Sequence, residues 1–422
     1  MTQTASAEPR RAAVAFILVT LFLDILGIGI IIPILPQLIK DFAGGTTSAA
    51  ASWVGAISAT YAVVQFVCAP ILGALSDRFG RRPVILASLF GLGIDYIIMG
   101  FAPSLRWLFV GRVIAGIMGA SFTTANAYIA DISTAETRAR NFGFVGVAFG
   151  LGFITGPALG GLLGGIDLRL PFFVSAGLCL VNWLYGFFVL PESLAPENRS
   201  PFTASKLNPF SSIAALGKYP IVASLAGAFV CQGFAQRGLE NVWVLYTSHR
   251  YGWGETANGL ALALVGITAV IVQGGLVRPV IQRIGERRAI LFGLGLGIFT
   301  YIAYGLASQG WMLIAVILFG AIGGVAGPAI QGLVAGSVAP NEQGRVQGAL
   351  AALQSVTSIL APMIYTAGLF SYFTSENAPF QLPGAPFFLG SLSIAVGVTI
   401  VARTFRRFPP ADEGAEPDAA PS

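Results

Sequence analysis

The 422-residue chain is 55% hydrophobic and only 10% charged, with a net charge of +5. Soluble domains carry roughly a quarter charged residues, so a water-soluble enzyme or binding domain is excluded. The apolar residues form long runs, and a helix needs roughly 20 of them to cross the hydrocarbon core of a bilayer. Twelve runs qualify: 14–36, 51–74, 84–102, 108–130, 142–164, 170–190, 220–246, 257–280, 289–307, 312–335, 346–369 and 385–403. No charge separates the ninth from the tenth, and they are divided at Ser308-Gln309-Gly310. With no water to satisfy the backbone, runs of this length are helices, too long for barrel strands. The expected fold class is an all-α integral membrane protein of twelve transmembrane helices.

Arg10 and Arg11 lead into a first span long enough to stay in the bilayer, so no cleavable signal is expected. That span holds Asp24, ahead of Pro33 and Pro36, and the third holds Asp95 in Gly93-Ile94-Asp95-Tyr96. A carboxylate at the centre of a membrane helix costs roughly 2.5–3.5 kcal/mol on insertion scales, which makes each a functional candidate. Apolar surroundings favour the protonated carboxyl, and a group so poised can pass a proton from one side to the other. The alternative for each is a neutral hydrogen bond to a neighbouring helix.

Between the second and third spans the chain reads Gly73, Asp77, Arg78, Gly80, Arg81 and Arg82, a tight charged hairpin. It is either a plain surface loop or a gate. As a gate, the Asp77 carboxylate would meet the positive N-terminal end of a helix from the other half, with Asp131, at the end of span four, as partner for the loop arginines. Arg112 follows Gly111 in span four, with Gly116 and Gly119 along the same helix. A guanidinium keeps its proton, so Arg112 needs a partner and either tunes a nearby carboxyl or closes a structural ion pair. Span five carries Gly152, Gly156, Pro157, Gly160 and Gly161, where small residues permit close helix approach and the proline bends the helix.

A polar stretch, 191–219, separates the first six spans from the last six. Span seven contains Arg237 and Glu240 three residues apart, close enough to pair with each other or to meet a substrate. Gln65, Asn126, Gln232, Gln236, Gln273, Gln331 and Gln354 place amides in the spans. With Tyr61, Phe66, Trp243 and Tyr246 they would line a mixed polar and aromatic cavity, although each can equally hydrogen-bond between helices. Cys68, Cys179 and Cys231 sit in apolar spans as small hydrophobes, and His249 stands alone in an outer loop. No metal-ligand spacing and no nucleophile with a base is found, so neither an enzyme nor a resident cofactor or metal is expected.

Of the 24 Lys and Arg residues, Lys40, Arg106, Arg169 and Arg250 fall on one face of the membrane, and Arg112 and Arg237 lie within spans. All the others fall on the opposite face, which the positive-inside rule makes cytoplasmic together with both termini. This asymmetry accounts for the net charge without a nucleic-acid partner. An internal duplication is also visible: Arg78, Gly80 and Arg82 recur as Arg283, Gly285 and Arg287, Arg140 as Arg345, and Pro157 as Pro362, all at one offset. The second loop has Arg278 for Gly73 and Gln282 for Asp77. Residues 1–190 and 220–405 are expected as two pseudo-symmetric six-helix bundles, 191–219 as a cytoplasmic linker and 406–422 as a disordered cytoplasmic tail. Parallel repeats of this kind hold a substrate near the midplane between the halves.

The loop from Gly73 to Arg82 is similar to the signature of the major facilitator superfamily, and the span-five glycine–proline pattern to the motif of its antiporters. The likeness is nearest to bacterial tetracycline/proton antiporters. It covers Asp24 to Pro36, Gly73 to Pro83, Asp95-Tyr96, Gly111-Arg112, Gly152 to Gly161, Val242 to Leu245, Pro328 to Gln331 and Gln343 to Pro362. The resemblance implies a bacterial inner-membrane efflux protein that exchanges protons for amphipathic drugs, in that family a divalent-metal chelate of tetracycline. A monomer in the lipid bilayer is expected. The chain departs from the pattern in having Ala269 where those exporters have a histidine and Gly297 where they have an acid. A metabolite or sugar transporter of the same fold is one alternative, and a non-transporting sensor or assembly factor is another.

Overall fold

The computed structural model describes residues 7–119, 121–200, 216–339 and 342–409. The twelve long helices are α1 (Ala7–Ile31), α2 (Thr47–Phe79), α3 (Arg81–Gly100), α4 (Leu105–Ile132), α5 (Ala135–Gly164) and α6 (Leu170–Val189), then α7 (Pro220–Tyr251), α8 (Glu255–Ile284), α9 (Glu286–Leu306), α10 (Gly310–Gly336), α11 (Gln343–Phe373) and α12 (Ala385–Arg407). Eleven are long and apolar enough to cross a membrane. The exception, α7, is 32 residues long but carries Gln232, Gln236, Arg237, Glu240 and Asn241. The expected division at Ser308-Gln309-Gly310 is where α9 and α10 part.

The expected hairpin after span two is smaller than the sequence suggests. Helix α2 runs on through Asp77 and Arg78 to Phe79, and α3 begins at Arg81, so the whole turn is Gly80. Gly80 has φ +106° and its counterpart Gly285, between α8 and α9, has φ +78°. Side chains other than hydrogen rarely tolerate that region, which explains why both copies keep glycine. Several helices are interrupted inside the bilayer. Gly119 closes the first segment of α4, residues Val272–Leu276 form a π turn in α8, Ala321–Val325 a 3-10 turn in α10, and Pro362–Phe370 a π stretch in α11. Proline supplies no backbone N–H, so the ladder slips at Pro362.

Each half repeats one packing plan: α1 against α5 and α6, α3 against α4 and α6, then α7 against α11 and α12, α9 against α10 and α12. The halves meet where α2 packs on α11 and α5 on α8. Helix α12 continues through Arg406 and Arg407, two residues into the expected tail, because Phe405 and Phe408 anchor its end on Arg287. Residues 410–422, the rest of that tail, and 201–215 of the linker, with Lys206, lie outside the described residues.

Candidate functional site

Asp95 is fully buried on α3. Its Oδ2 meets Arg112 Nη2 of α4 at 3.4 Å. Gly111 makes room for the pair: a Cβ there would lie 2.8 Å from Asp95 Oδ1 and 2.6 Å from Met99 Cγ. Arg112 Nη2 also touches Met99 Sδ at 2.7 Å, and the guanidinium carbon stands 5.9 Å from the ring centre of Tyr61 on α2. Asp95 Oδ1 and Arg112 Nε are buried without a hydrogen-bond partner in the protein. An ion pair so incompletely satisfied stabilises the bundle little. Asp24 is buried on α1, one turn before Gly27, where a Cβ would lie 3.5 Å from Cε2 of Tyr96, the residue after Asp95. Helices α1 and α3 thus meet within about a turn of each carboxyl group.

Across from this cluster, α7 presents a polar face at mid-length. Arg237 Nη1 donates to Glu240 Oε2 at 2.8 Å, Gln236 Nε2 to Glu240 Oε1 at 3.1 Å, and Asn241 Nδ2 to the Arg237 carbonyl. The Arg237 and Glu240 side chains are 47% and 37% exposed. Charges at that depth face water-filled space between helices rather than lipid. The Tyr61 hydroxyl on α2 accepts from Gln65 Nε2 at 3.0 Å, and α2 packs against α7 of the other half. Asn126 is half-buried on α4, while Gln273 and Gln331 are exposed on α8 and α10. Trp243 is placed differently. It is buried edge-on against Tyr304, 5.8 Å between ring centres, in the aromatic core of the second half.

The charged turn forms a network inside the first half. Arg81 pairs with Asp77 one turn before it, with Asp131 at the end of α4 at 3.1 Å, and with Ser76 Oγ. Arg82 Nη2 donates to the Phe187 carbonyl at 2.6 Å. The residue that completes the network, Glu192, was not singled out from the sequence. Its carboxylate accepts from the backbone N–H of Arg81 at 2.8 Å and of Arg82 at 3.2 Å, capping the start of α3. Ser193 Oγ donates to Asp131 beside it. Arg78 lies over the Phe79 ring. A Cβ on Gly80 would collide with Glu192 Oε2, so the glycine serves both the turn and the cap. Glu192 follows Arg81 by 111 residues, and no local pattern in sequence links them.

The span-five glycines are contact surfaces. Cβ atoms on Gly152, Gly156 and Gly160 would lie 2.9 Å from Ile25 Cβ, 2.8 Å from Gly29 Cα and 2.0 Å from the Ile30 carbonyl, all on α1. Gly161 faces the other half, where a Cβ would come 2.9 Å from Gly259 Cα of α8. Pro157 joins both contacts, its ring against Gly29 and its carbonyl against Gly259. On α2, a Cβ on Gly55 would be 2.7 Å from Ala367 Cβ of α11. These tight contacts lie in the part of each helix away from the charged turn. Toward the charged end the α5–α8 seam thins to Gly150 against Val270, and beyond it Gly143, Gly146, Gly274 and Gly275 have no neighbour within 4 Å, nor do Gly73 of α2 and Gly344 of α11. The halves are closed at one end of the bundle and parted at the other.

Residues 17–362 match the Major Facilitator Superfamily. The chain is 41% identical to the tetracycline resistance protein, class C, of Escherichia coli over 89% of its own length and 94% of that protein. It is 37% identical to the class G protein of Vibrio anguillarum, covering 85% and 90%. Among solved structures, the human organic anion transporter MFSD10 superposes with a TM-score of 0.66 at 25% identity, over 93% of this chain and 99% of that one. With twelve long helices among its described residues, a family match over residues 17–362 and relatives 37–41% identical along most of its length, the chain belongs to the major facilitator superfamily.

Proposed function

We propose that this membrane transporter is a proton-coupled antiporter of a bacterial inner membrane, exporting amphipathic small molecules, tetracycline-like compounds among them. One observation carries the reading: Asp95 is buried against Arg112, with Asp24 also buried in the same half, inside a bundle whose halves part at one end. The distribution of basic residues makes the parted end cytoplasmic, so the described state is open to the cell interior. A drug enters there and settles between Tyr61 and Gln65 of one half and Arg237 and Glu240 of the other. Drug binding favours release of the Asp24 and Asp95 protons to the cytoplasm, since the charged Asp95 carboxylate completes the contact with Arg112. The halves then rock, the far side opens, and the drug leaves as Asp24 and Asp95 take up protons from outside. Arg112 stays charged throughout, so each protonation of Asp95 loosens the packing of α4 on α3. In the state closed to the cytoplasm, Asp77 leaves Arg81 for the N-terminal end of a helix in the other half.

No resident cofactor enters this cycle, and a divalent cation takes part only as a component of a drug chelate. Ala269 and Gly297, the latter beside Ile394, stand where tetracycline exporters carry a histidine and an acid, so the range of substrates extends beyond tetracycline. The test is proton release from acidified everted vesicles on adding a panel of compounds, tetracycline with magnesium among them. Drug-dependent release in the wild type, lost in Asp24→Asn and Asp95→Asn, is the expected result. Transport that needs no pH gradient and survives Asp95→Asn would favour a metabolite carrier instead.

A further inference from the structure

The two seams that join the halves are fastened differently. Between α5 and α8 backbone lies on backbone at Gly161 and Gly259, with Thr256 Oγ1 donating to the Gly161 carbonyl at 3.0 Å. Between α2 and α11 the closed end carries a cluster of hydroxyls. Ser48 Oγ donates to the Ser371 carbonyl at 2.8 Å, and Ser371 Oγ returns a bond to the Ser48 carbonyl at 2.9 Å. Ser371 Oγ also lies 2.8 Å from Ser52 Oγ and 3.1 Å from Ser48 Oγ. Ser371 is only 7% exposed. One turn deeper Gly55 closes on Ala367. Of the ion pairs among the described residues, Arg81–Asp77, Arg81–Asp131, Arg112–Asp95 and Arg237–Glu240 each close within one half, and Lys218–Glu342 ties the linker to α11.

We propose that Ser48, Ser52 and Ser371 are the outer gating residues of the transport cycle, a neutral lock whose strength sets how often the carrier opens to the outside. A hydroxyl bond in protein replaces a similar bond to water, so each contributes little net stability. When α2 and α11 part, water takes over every bond that is broken. The lock therefore opens without stranding a buried polar group, and its own hydroxyls do not titrate. The titratable group facing it is His249 of α7, edge-on to Phe370 at 6.2 Å between ring centres, with Lys40 and Arg250 near it. The opposite end is built from Asp77, Arg81, Asp131 and Glu192. The two ends thus answer to different stimuli, with charge and protonation acting at one and shape alone at the other. The inference rests on the chain being an alternating carrier, but its first test, the distance between the halves, needs neither drug nor proton gradient.

Spin labels on Asp41→Cys and Asn377→Cys, one at the outer end of each half, report opening in a functional chain with Cys68, Cys179 and Cys231 changed to Ala. Ser371→Ala, and Ser48→Ala with Ser52→Ala, are expected to raise the population of the longer distance about tenfold. The factor stays the same at low and high pH in a His249→Gln background and at low and high salt, and Ser371→Thr restores the wild-type distribution. In transport the alanine variants raise KM for drug offered from the cytoplasm more than they lower the maximal rate. Ser52→Cys with Ser371→Cys tests the opposite direction: oxidation holds the short distance and stops transport, and a reductant releases both. Unchanged distances in the alanine variants, a factor that varies with pH or salt, or an oxidised pair that still transports would overturn the proposal.

Discussion

The halves share a backbone and differ in their charges. Both turn at a glycine of positive φ, and both tie the arginine two residues after that glycine to the end of their last helix. Arg82 donates to the Phe187 carbonyl near the Phe187 ring, and Arg287 donates to the Phe408 carbonyl over the Phe405 ring. At the same offset, however, Asp24, Asp95 and Arg112 face Phe229, Thr300 and Ile317 in the second half, and Asp77 and Asp131 face Gln282 and Gly336. The second half has instead an aromatic core of Trp243, Tyr246, Tyr301, Tyr304 and Phe387. Geometry is what the duplication has kept on both sides. The buried carboxyl–guanidinium pair lies in the first half, whereas Arg237 and Glu240 of the second are part-exposed, as expected if proton handling lies in the first half and the second shapes the drug site.

The largest expected effect breaks the comparison at its centre. Asp95→Asn should lower drug-dependent proton exchange in everted vesicles about 100-fold or more, while Thr300→Asp in the other half should not restore it. Exchange rescued by Thr300→Asp would mean the halves are interchangeable. Next are the glycines. Gly160→Ala, against the Ile30 carbonyl, should cost about 1–3 kcal/mol, read as a lower unfolding temperature in detergent. Gly143→Ala and Gly146→Ala, which meet nothing within 4 Å, should leave it unchanged. A smaller loss follows from Glu192→Ala, which uncaps α3 at a cost of about 0.5–2 kcal/mol. The same substitution at Glu286, beside the second turn, should be silent in the same melting assay.

The smallest effect depends on pH. Tyr219 and then Lys218 donate to Glu342 at 2.7 Å and 3.0 Å, tying the linker to the start of α11. These bonds hold the Glu342 carboxyl below the usual glutamate range and raise the Tyr219 phenol. The clamp is therefore complete above the ordinary value of roughly 4.3 and is lost as pH falls through the lower folded value. Hydrogen exchange at the first turn of α11 should rise only below that value in the wild type, and at neutral pH in Glu342→Gln. Equal exchange in the two proteins at neutral pH would remove the clamp from the account.

Most of the fold could be read directly because its signals are local. Length and apolarity mark the spans, the turn is a run of ten residues, and a carboxylate such as Asp24 or Asp95 stands out in an apolar run. Arg112 was expected to need a partner, and Asp95 is that partner. What escaped has its partner far along the chain. Glu192 reaches back 111 residues to Arg81, and Ser371 lies 323 residues from Ser48. Serines occur throughout such a chain, and only packing selects these. The π turn at Val272–Leu276 was equally invisible, because a slipped backbone ladder reflects what packs against it.

Helix α7 carries one more consequence, for how the chain is made. With Arg237 and Glu240 at its middle it falls short of the apolarity that the other eleven helices reach, and a lone helix of that polarity enters a bilayer poorly. Its main neighbours, α12 and α11, leave the ribosome well after it. The first half can integrate helix by helix during synthesis. The second must wait for α12, so a chain truncated before α12 should leave α7 stranded at the membrane surface, open to quality-control proteases.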